Sequence, residues 1–184
     1  MRPDYVISSD VLTQAECEKI IQHCQKNTHV ARIGRGRGGL RRRSHVSWIT
    51  SGSELDDLVV KCFHQLQTIA WDYYDQEIGF IEPVQFTSYG FGNFYNWHVD
   101  AGIHTEQDRV ISASLELTDP KTYKGGGLKF KDHPNPVPKR AQGTMICFPS
   151  LMIHQARPVF WGTRCSLVFW GARKDGRPTD SNNA

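Results

Sequence analysis

From Glu82 onward the hydrophobic pattern of this chain changes period. Before that point apolar residues recur mainly at helical spacing. After it they fall into short alternating runs broken by Gly, Pro and Asp. Period-two alternation marks strands with two distinct faces, and turn signals at short intervals point to a sandwich or barrel. The pattern predicts strands near 83–89, 93–99, 110–117, 127–131, 143–148, 152–156 and 164–171. Helices first and strands after make the chain α+β, its second half an antiparallel sandwich or barrel.

The first half reads as support for that sheet. Thr13-Gln14-Ala15-Glu16 is a capping box. It should start a helix running to about Lys26, with Cys17, Ile20, Ile21 and Cys24 on one face. Ser53 should open a longer helix to about Gln76. Its core stripe is Leu55, Leu58, Val59, Cys62, Leu66, Ile69, Ala70 and Tyr73. Between the helices, residues 44–49 alternate like a strand. Residues 28–43 show no periodicity, and six Arg and four Gly crowd the stretch from Arg32 to Arg43, so it is expected to be a mobile loop. The polar tail from Asp175 to Ala184 is expected to fray.

A length of 184 residues suits one domain, with 1–80 as helical support plus the Arg/Gly loop and 81–173 as the β core. No apolar run is long enough to span a bilayer, so no membrane partner is expected. Met1-Arg2-Pro3-Asp4-Tyr5 lacks the charged-then-apolar pattern of a signal peptide. The five scattered Cys have no zinc-like pairing and read as reduced, mostly buried thiols, so a cytoplasmic location is expected. A net charge of +3 does not by itself call for a nucleic-acid partner.

The chemistry concentrates in Tyr89-Gly90-Phe91-Gly92-Asn93-Phe94-Tyr95-Asn96-Trp97-His98-Val99-Asp100. In an extended strand residues i and i+2 share a face, so His98 and Asp100 can bind one metal ion. A second imidazole follows at His154, and Arg164 comes ten residues after it. Two His and one carboxylate with open positions form the facial triad of non-heme Fe(II) oxygenases. Of the other His, His104 is the one rival ligand, and its loop position makes it a poor one.

The ordered set Tyr89, Gly92, Tyr95, His98, Asp100, Arg109, Asp119-Pro120, Gly125-Gly126-Gly127, Phe148-Pro149-Ser150, His154, Pro158, Gly162 and Arg164 resembles the prolyl hydroxylase branch of the Fe(II)/2-oxoglutarate dioxygenases. Small PKHD-type hydroxylases are the most similar, and the resemblance is close over residues 84–172. It implies a double-stranded β-helix, the jelly-roll barrel of that class, buttressed by the N-terminal helices. It also implies His98, Asp100 and His154 as catalytic metal ligands, with Fe(II), 2-oxoglutarate and O2 as cofactor and cosubstrates. Ascorbate would be an accessory reductant.

Arg164, with Ser166 and Tyr89 beside it, would hold the distal carboxylate of 2-oxoglutarate, a role suited to a planar guanidinium fork. Tyr95, Trp97, Arg109 and Trp170 would line the substrate side. Thr118 stands where the family commonly has Asn, in a turn read as structural. The resemblance leaves the substrate open between a prolyl residue of a peptide or protein and a free amino acid or other small metabolite. A metal-bound module without turnover is disfavoured, because His98, Asp100, His154 and Arg164 are all intact. The Arg/Gly stretch could act as a flap over an acidic peptide.

Overall fold

The computed structural model describes residues 2–36, 39–101, 108–138 and 140–173. His104, Arg37 and the tail from Asp175 lie outside the described residues. Two helices, α1 (Gln14–Gln25) and α2 (Asp56–Tyr74), accompany thirteen strands. The N-terminal strands are β1 (Val6–Ser8), β2 (His29–Gly36), β3 (Gly39–Ile49) and β4 (Ile78–Ile81). Next come β5 (Val84–Tyr89), β6 (Phe94–His98), β7 (Arg109–Glu116), β8 (Tyr123–Gly125) and β9 (Leu128–Phe130). The last are β10 (Met145–Pro149), β11 (His154–Ala156), β12 (Val159–Gly162) and β13 (Arg164–Arg173).

Each helix begins where its local hydrogen bonds dictate. The Glu16 N–H donates to Thr13 Oγ1 at 3.3 Å and the Thr13 N–H to Glu16 Oε2 at 2.7 Å, closing the capping box at α1. At α2 the Asp56 carboxylate accepts from the backbone N–H groups of Gly52 and Ser53, so the helix starts three residues after Ser53. Its buried stripe ends on Tyr74; Tyr73, expected there, faces solvent.

Eleven strands of the described residues hydrogen-bond into one curled sheet along the path β1-β10-β7-β13-β5-β3-β6-β11-β9, with β2 on β3 and β4 on β13. β8 and β12 form a separate pair. The result is a curled half-barrel of jelly-roll type with few helices. The seven strands read from the alternation all form, with ends shifted by a few residues. Alternation also builds the two faces. On β13, Cys165, Leu167 and Phe169 join α1 and α2 in one apolar core, while Arg164, Ser166, Val168 and Trp170 line a cleft on the opposite face. A second, smaller cluster joins Leu128, Phe130, Val137, Ile146 and Phe148, of which Leu128 and Phe148 also line the cleft. All five Cys are buried and free. Among the described residues no helix is long and apolar enough to cross a membrane.

The expected loop at 28–43 is instead a β-hairpin. β2 and β3 pair antiparallel from His29↔Val46 to Gly36↔Gly39, and β3 continues onto β5 and β6. The first eighty residues therefore contribute strands to the barrel as well as helical support. Backbone hydrogen bonds, indifferent to side-chain type, override an Arg/Gly composition that hides the alternation.

Gly162 ends β12 with φ +71°, and a Cβ there would lie 2.2 Å from the Thr122 carbonyl oxygen. The left-handed backbone and the clash both oppose substitution. Gly162→Ala is expected to lower stability by about 2 kcal/mol or more, read by chemical denaturation.

Candidate metal centre

His98 ends β6 and His154 begins β11, directly opposite it in the ladder. Register shifts at this point: His154 faces His98, but Ala156 faces Tyr95, so β6 carries one extra residue. That bulge puts Tyr95 and His98, three apart, on the cleft face. Their rings stack with centroids 3.6 Å apart. Asp100 lies past the end of β6, so strand alternation is not what aims it. Its N–H donates to the Ser150 carbonyl at 3.0 Å, and its own carbonyl accepts from Arg109 Nη1 at 2.9 Å.

His98, Asp100 and His154 offer ligand atoms that all lie within 4.8 Å of one another. The two imidazoles are oriented alike. Nδ1 of His98 is 2.7 Å from the Asn96 carbonyl, and Nδ1 of His154 is 2.9 Å from the Met152 carbonyl. Carbonyls accept only, so the proton sits on each Nδ1 and the Nε2 lone pairs are left for a metal. Those Nε2 atoms stand 3.5 Å and 3.6 Å from the Asp100 carboxylate oxygens. Asp100 Oδ2 is buried and has no hydrogen-bond partner among the described residues.

Burial alone would raise the pKa of Asp100, but the polar surroundings of His98, His154 and Ser112 bring it down to about 2. Burial also pushes His154 below the ordinary imidazole value, favouring the neutral ligand form. Two neutral imidazoles and one carboxylate on one side of a cleft fit a divalent transition metal with open positions.

The cleft runs from this cluster to Arg164. Arg164 is buried, and its Nε donates to Glu116 Oε2 at 2.9 Å while Nη2 donates to Glu116 Oε1. Nη2 also reaches Ser114 Oγ at 3.3 Å. Burial disfavours the Arg164 cation, yet the Glu116 charge and hydrogen bonds outweigh this and raise its pKa. Ser166 and Tyr89 line the same cleft, and burial lifts the Tyr89 phenol above its usual range, keeping it a neutral donor. Thr118 accepts the Cys165 N–H at 2.8 Å, tying its turn to the start of β13.

Of the residues expected on the substrate side, Tyr95 and Trp170 line the cleft. Trp170 has a buried Nε1 without a partner among the described residues. Arg109 stands behind the wall: its guanidinium lies 4.3 Å over the Trp170 ring and pairs with Glu82. Trp97 is not among the residues that line the cleft. Next to His98 on β6, it turns to the outer face and is 36% exposed.

Two charged residues at the cleft could not be placed individually from the sequence, one lining it and one paired with Arg164 behind it. Arg42, from the supposed loop, is buried and donates to Ser44 Oγ at 2.8 Å and Gln85 Oε1 at 2.7 Å. Its guanidinium lies 4.8 Å over Tyr95, and Ser44, Gln85 and Thr87, its hydrogen-bond partners among the described residues, are all neutral. Glu116 is the other. A lone acid in the apolar run Ser112-Ala113-Ser114-Leu115-Glu116-Leu117 was the signal that could have found it, since a buried charge demands a partner.

Residues 84–171 match the 2OG-Fe(II) oxygenase superfamily. A PKHD-type hydroxylase of Cupriavidus metallidurans is 35% identical over 97 residues, covering 49% of this chain and 42% of that protein. A PKHD-type hydroxylase of Shewanella sp. (strain MR-7) is 33% identical over 93 residues, covering 48% and 42%. The alignment thus spans about two fifths of the length of these relatives. Among solved structures, a Pseudomonas putida prolyl-4-hydroxylase superposes with TM-score 0.74 at 20% identity over 93% of both chains. A prolyl hydroxylase from Trichoplax adhaerens, in complex with a hypoxia inducible factor peptide fragment, gives TM-score 0.72 at 15% identity, covering 97% of this chain and 87% of that one. At these identities the structural likeness shows the fold.

Proposed function

We propose that this chain, whose residues 84–171 match the 2OG-Fe(II) oxygenase superfamily, is an oxidoreductase that hydroxylates an unactivated C–H bond of a prolyl residue in a peptide or protein. The observation that carries this reading is the His98, Asp100 and His154 cluster opening onto a cleft walled by Tyr95 and Trp170. Iron(II) held by those three residues would supply the oxygen chemistry that couples 2-oxoglutarate decarboxylation, giving succinate and CO2, to oxidation of the substrate. The protein's own part is positional. Backbone carbonyls fix both imidazoles, Arg109 holds the Asp100 backbone in place, and Arg164 offers charge at the far end. Flat aromatic faces at Tyr95 and Trp170 suit an apolar ring, and the unpaired Trp170 N–H suits a carbonyl acceptor beside it.

A second reading, a free amino acid or similar small acid as substrate, is favoured by Arg42. Among the described residues no carboxylate pairs with this buried cation, and a substrate carboxylate would supply the counter-charge. One assay separates the readings. Succinate release from 2-oxoglutarate is measured with the Fe(II)-loaded chain and either proline-containing peptides or free amino acids, and the products are weighed for one added oxygen atom. Stimulation by free amino acids alone would overturn the peptide reading, and no stimulation by any of them would overturn both.

The structure also revises the flap expectation. Arg41 and Arg43 face solvent and Arg42 faces the cleft. Arg42→Gln is expected to lower hydroxylation relative to uncoupled decarboxylation by about tenfold or more, since a charge-assisted hydrogen bond contributes roughly 1.5–3 kcal/mol. Buried charge is poorly screened, so the loss should persist at high salt. Arg41→Gln and Arg43→Gln should change the ratio less than about twofold.

A further inference from the structure

We infer that Glu116 sets which 2-oxo acids this cleft accepts, admitting 2-oxo monocarboxylates alongside 2-oxo dicarboxylates. The inference rests on the reading of Arg164 as the residue that meets the distal end of the cosubstrate. Glu116 is 4% exposed and sits on β7 opposite Ser166 and two residues from Ser114, both of which line the cleft beside Arg164. Its carboxylate already takes the Nε and Nη2 edge of Arg164, one of the two edges by which a guanidinium grips a carboxylate. Ser114 and the Tyr123 phenol bond to the same guanidinium. A distal carboxylate arriving at Arg164 must therefore share one cation with a carboxylate the protein itself supplies. Two like charges in one buried site disfavour each other.

An uncharged distal end meets no such opposition. The chemistry does not require a distal charge either. The bond between the carboxylate carbon and the keto carbon breaks and CO2 leaves. One atom of O2 completes the new, shorter carboxylate, and the other enters the substrate C–H bond. The distal end of the 2-oxo acid takes no part, so its charge is a matter of binding alone.

The test is calorimetric titration of 2-oxoglutarate and 2-oxopentanoate, which share a chain length, into the Mn(II)-loaded full chain, where no turnover interferes. Glu116→Gln keeps the shape and a hydrogen-bond acceptor but removes the charge. It is expected to widen the preference for 2-oxoglutarate over 2-oxopentanoate by about fivefold or more, chiefly through tighter 2-oxoglutarate binding. A smaller widening, or a narrowing, overturns the inference. Should Glu116→Gln fail to unfold cooperatively, the wild-type chain decides. A preference for 2-oxoglutarate below about fiftyfold supports the inference and a larger one overturns it. Tight, strictly dicarboxylate binding would sink the role of Glu116 and leave the oxygenase reading standing. Absence of binding by either acid would sink both.

Discussion

His154→Ala is expected to abolish 2-oxoglutarate turnover while leaving the protein folded, and His98→Ala and Asp100→Ala should do the same. The three side chains meet at the cleft, and none belongs to either apolar cluster that holds the barrel together. His154 touches Phe148 edge-on at 4.7 Å and lies 6.4 Å from Phe130, so its removal loses contacts with the smaller cluster without opening the main core. Metal binding has no such redundancy. With one of three ligands gone, the remaining pair lacks the facial set that fixes the ion and its open positions. Succinate assays should fall to background, Mn(II) titration should weaken sharply, and thermal unfolding should stay cooperative. Full activity in His154→Ala would show that the ligand set has been misassigned.

Arg164→Ala should produce the second large effect, and it should have two separable parts. Losing the guanidinium removes the charge-assisted hydrogen bonds expected at the distal end of 2-oxoglutarate, each contributing roughly 1.5–3 kcal/mol. The 2-oxoglutarate requirement should rise at least about tenfold, with metal affinity changing much less. The same substitution strands Glu116, a buried carboxylate, without its partner, and breaking such a pair costs about 3–5 kcal/mol of stability. Arg164→Ala with Glu116→Gln should therefore recover most of the stability and none of the cosubstrate affinity. If Arg164→Ala leaves 2-oxoglutarate binding unchanged, the distal carboxylate is held elsewhere. If stability survives as well, the Glu116 pair contributes little.

Much of the second half of the molecule was legible because its strands alternate and its turns carry Gly, Pro and Asp. The capping box located α1 for the same local reason. What escaped depends on partners distant in sequence. Nothing in Arg41-Arg42-Arg43 tells that the middle residue turns inward, because that follows from the pairing of β3 with β5 and β6. Tyr95 lines the cleft and Trp97 does not, because the bulge in β6 resets which residues share a face with His98. Asp100 reached the cluster for a reason other than the one its spacing suggested: it is hung from Ser150 and Arg109 beyond the end of the strand. Likewise, Glu116 and Arg164 lie 48 residues apart and become neighbours when β7 pairs with β13.

β3 also decides what counts as an independent folding unit. In the described sheet it is the only hydrogen-bonded link between the ladder ending at β5 and the ladder beginning at β6. The first ladder carries Arg164 and the second carries His98 and His154. Residues 84–171, the part that matches the superfamily, contain the second ladder and nearly all of the first, but neither β1 nor β3. Cut out alone, that segment would present two unpaired edges at the seam where the metal ligands and the cosubstrate end must be brought into register, and unpaired edges invite association between chains. Closing the seam requires residues 42–49 to wait for residues 84–95 to form, a non-local pairing of the kind that slows folding. The recognisable oxygenase segment is thus shorter than the piece of chain that can assemble it.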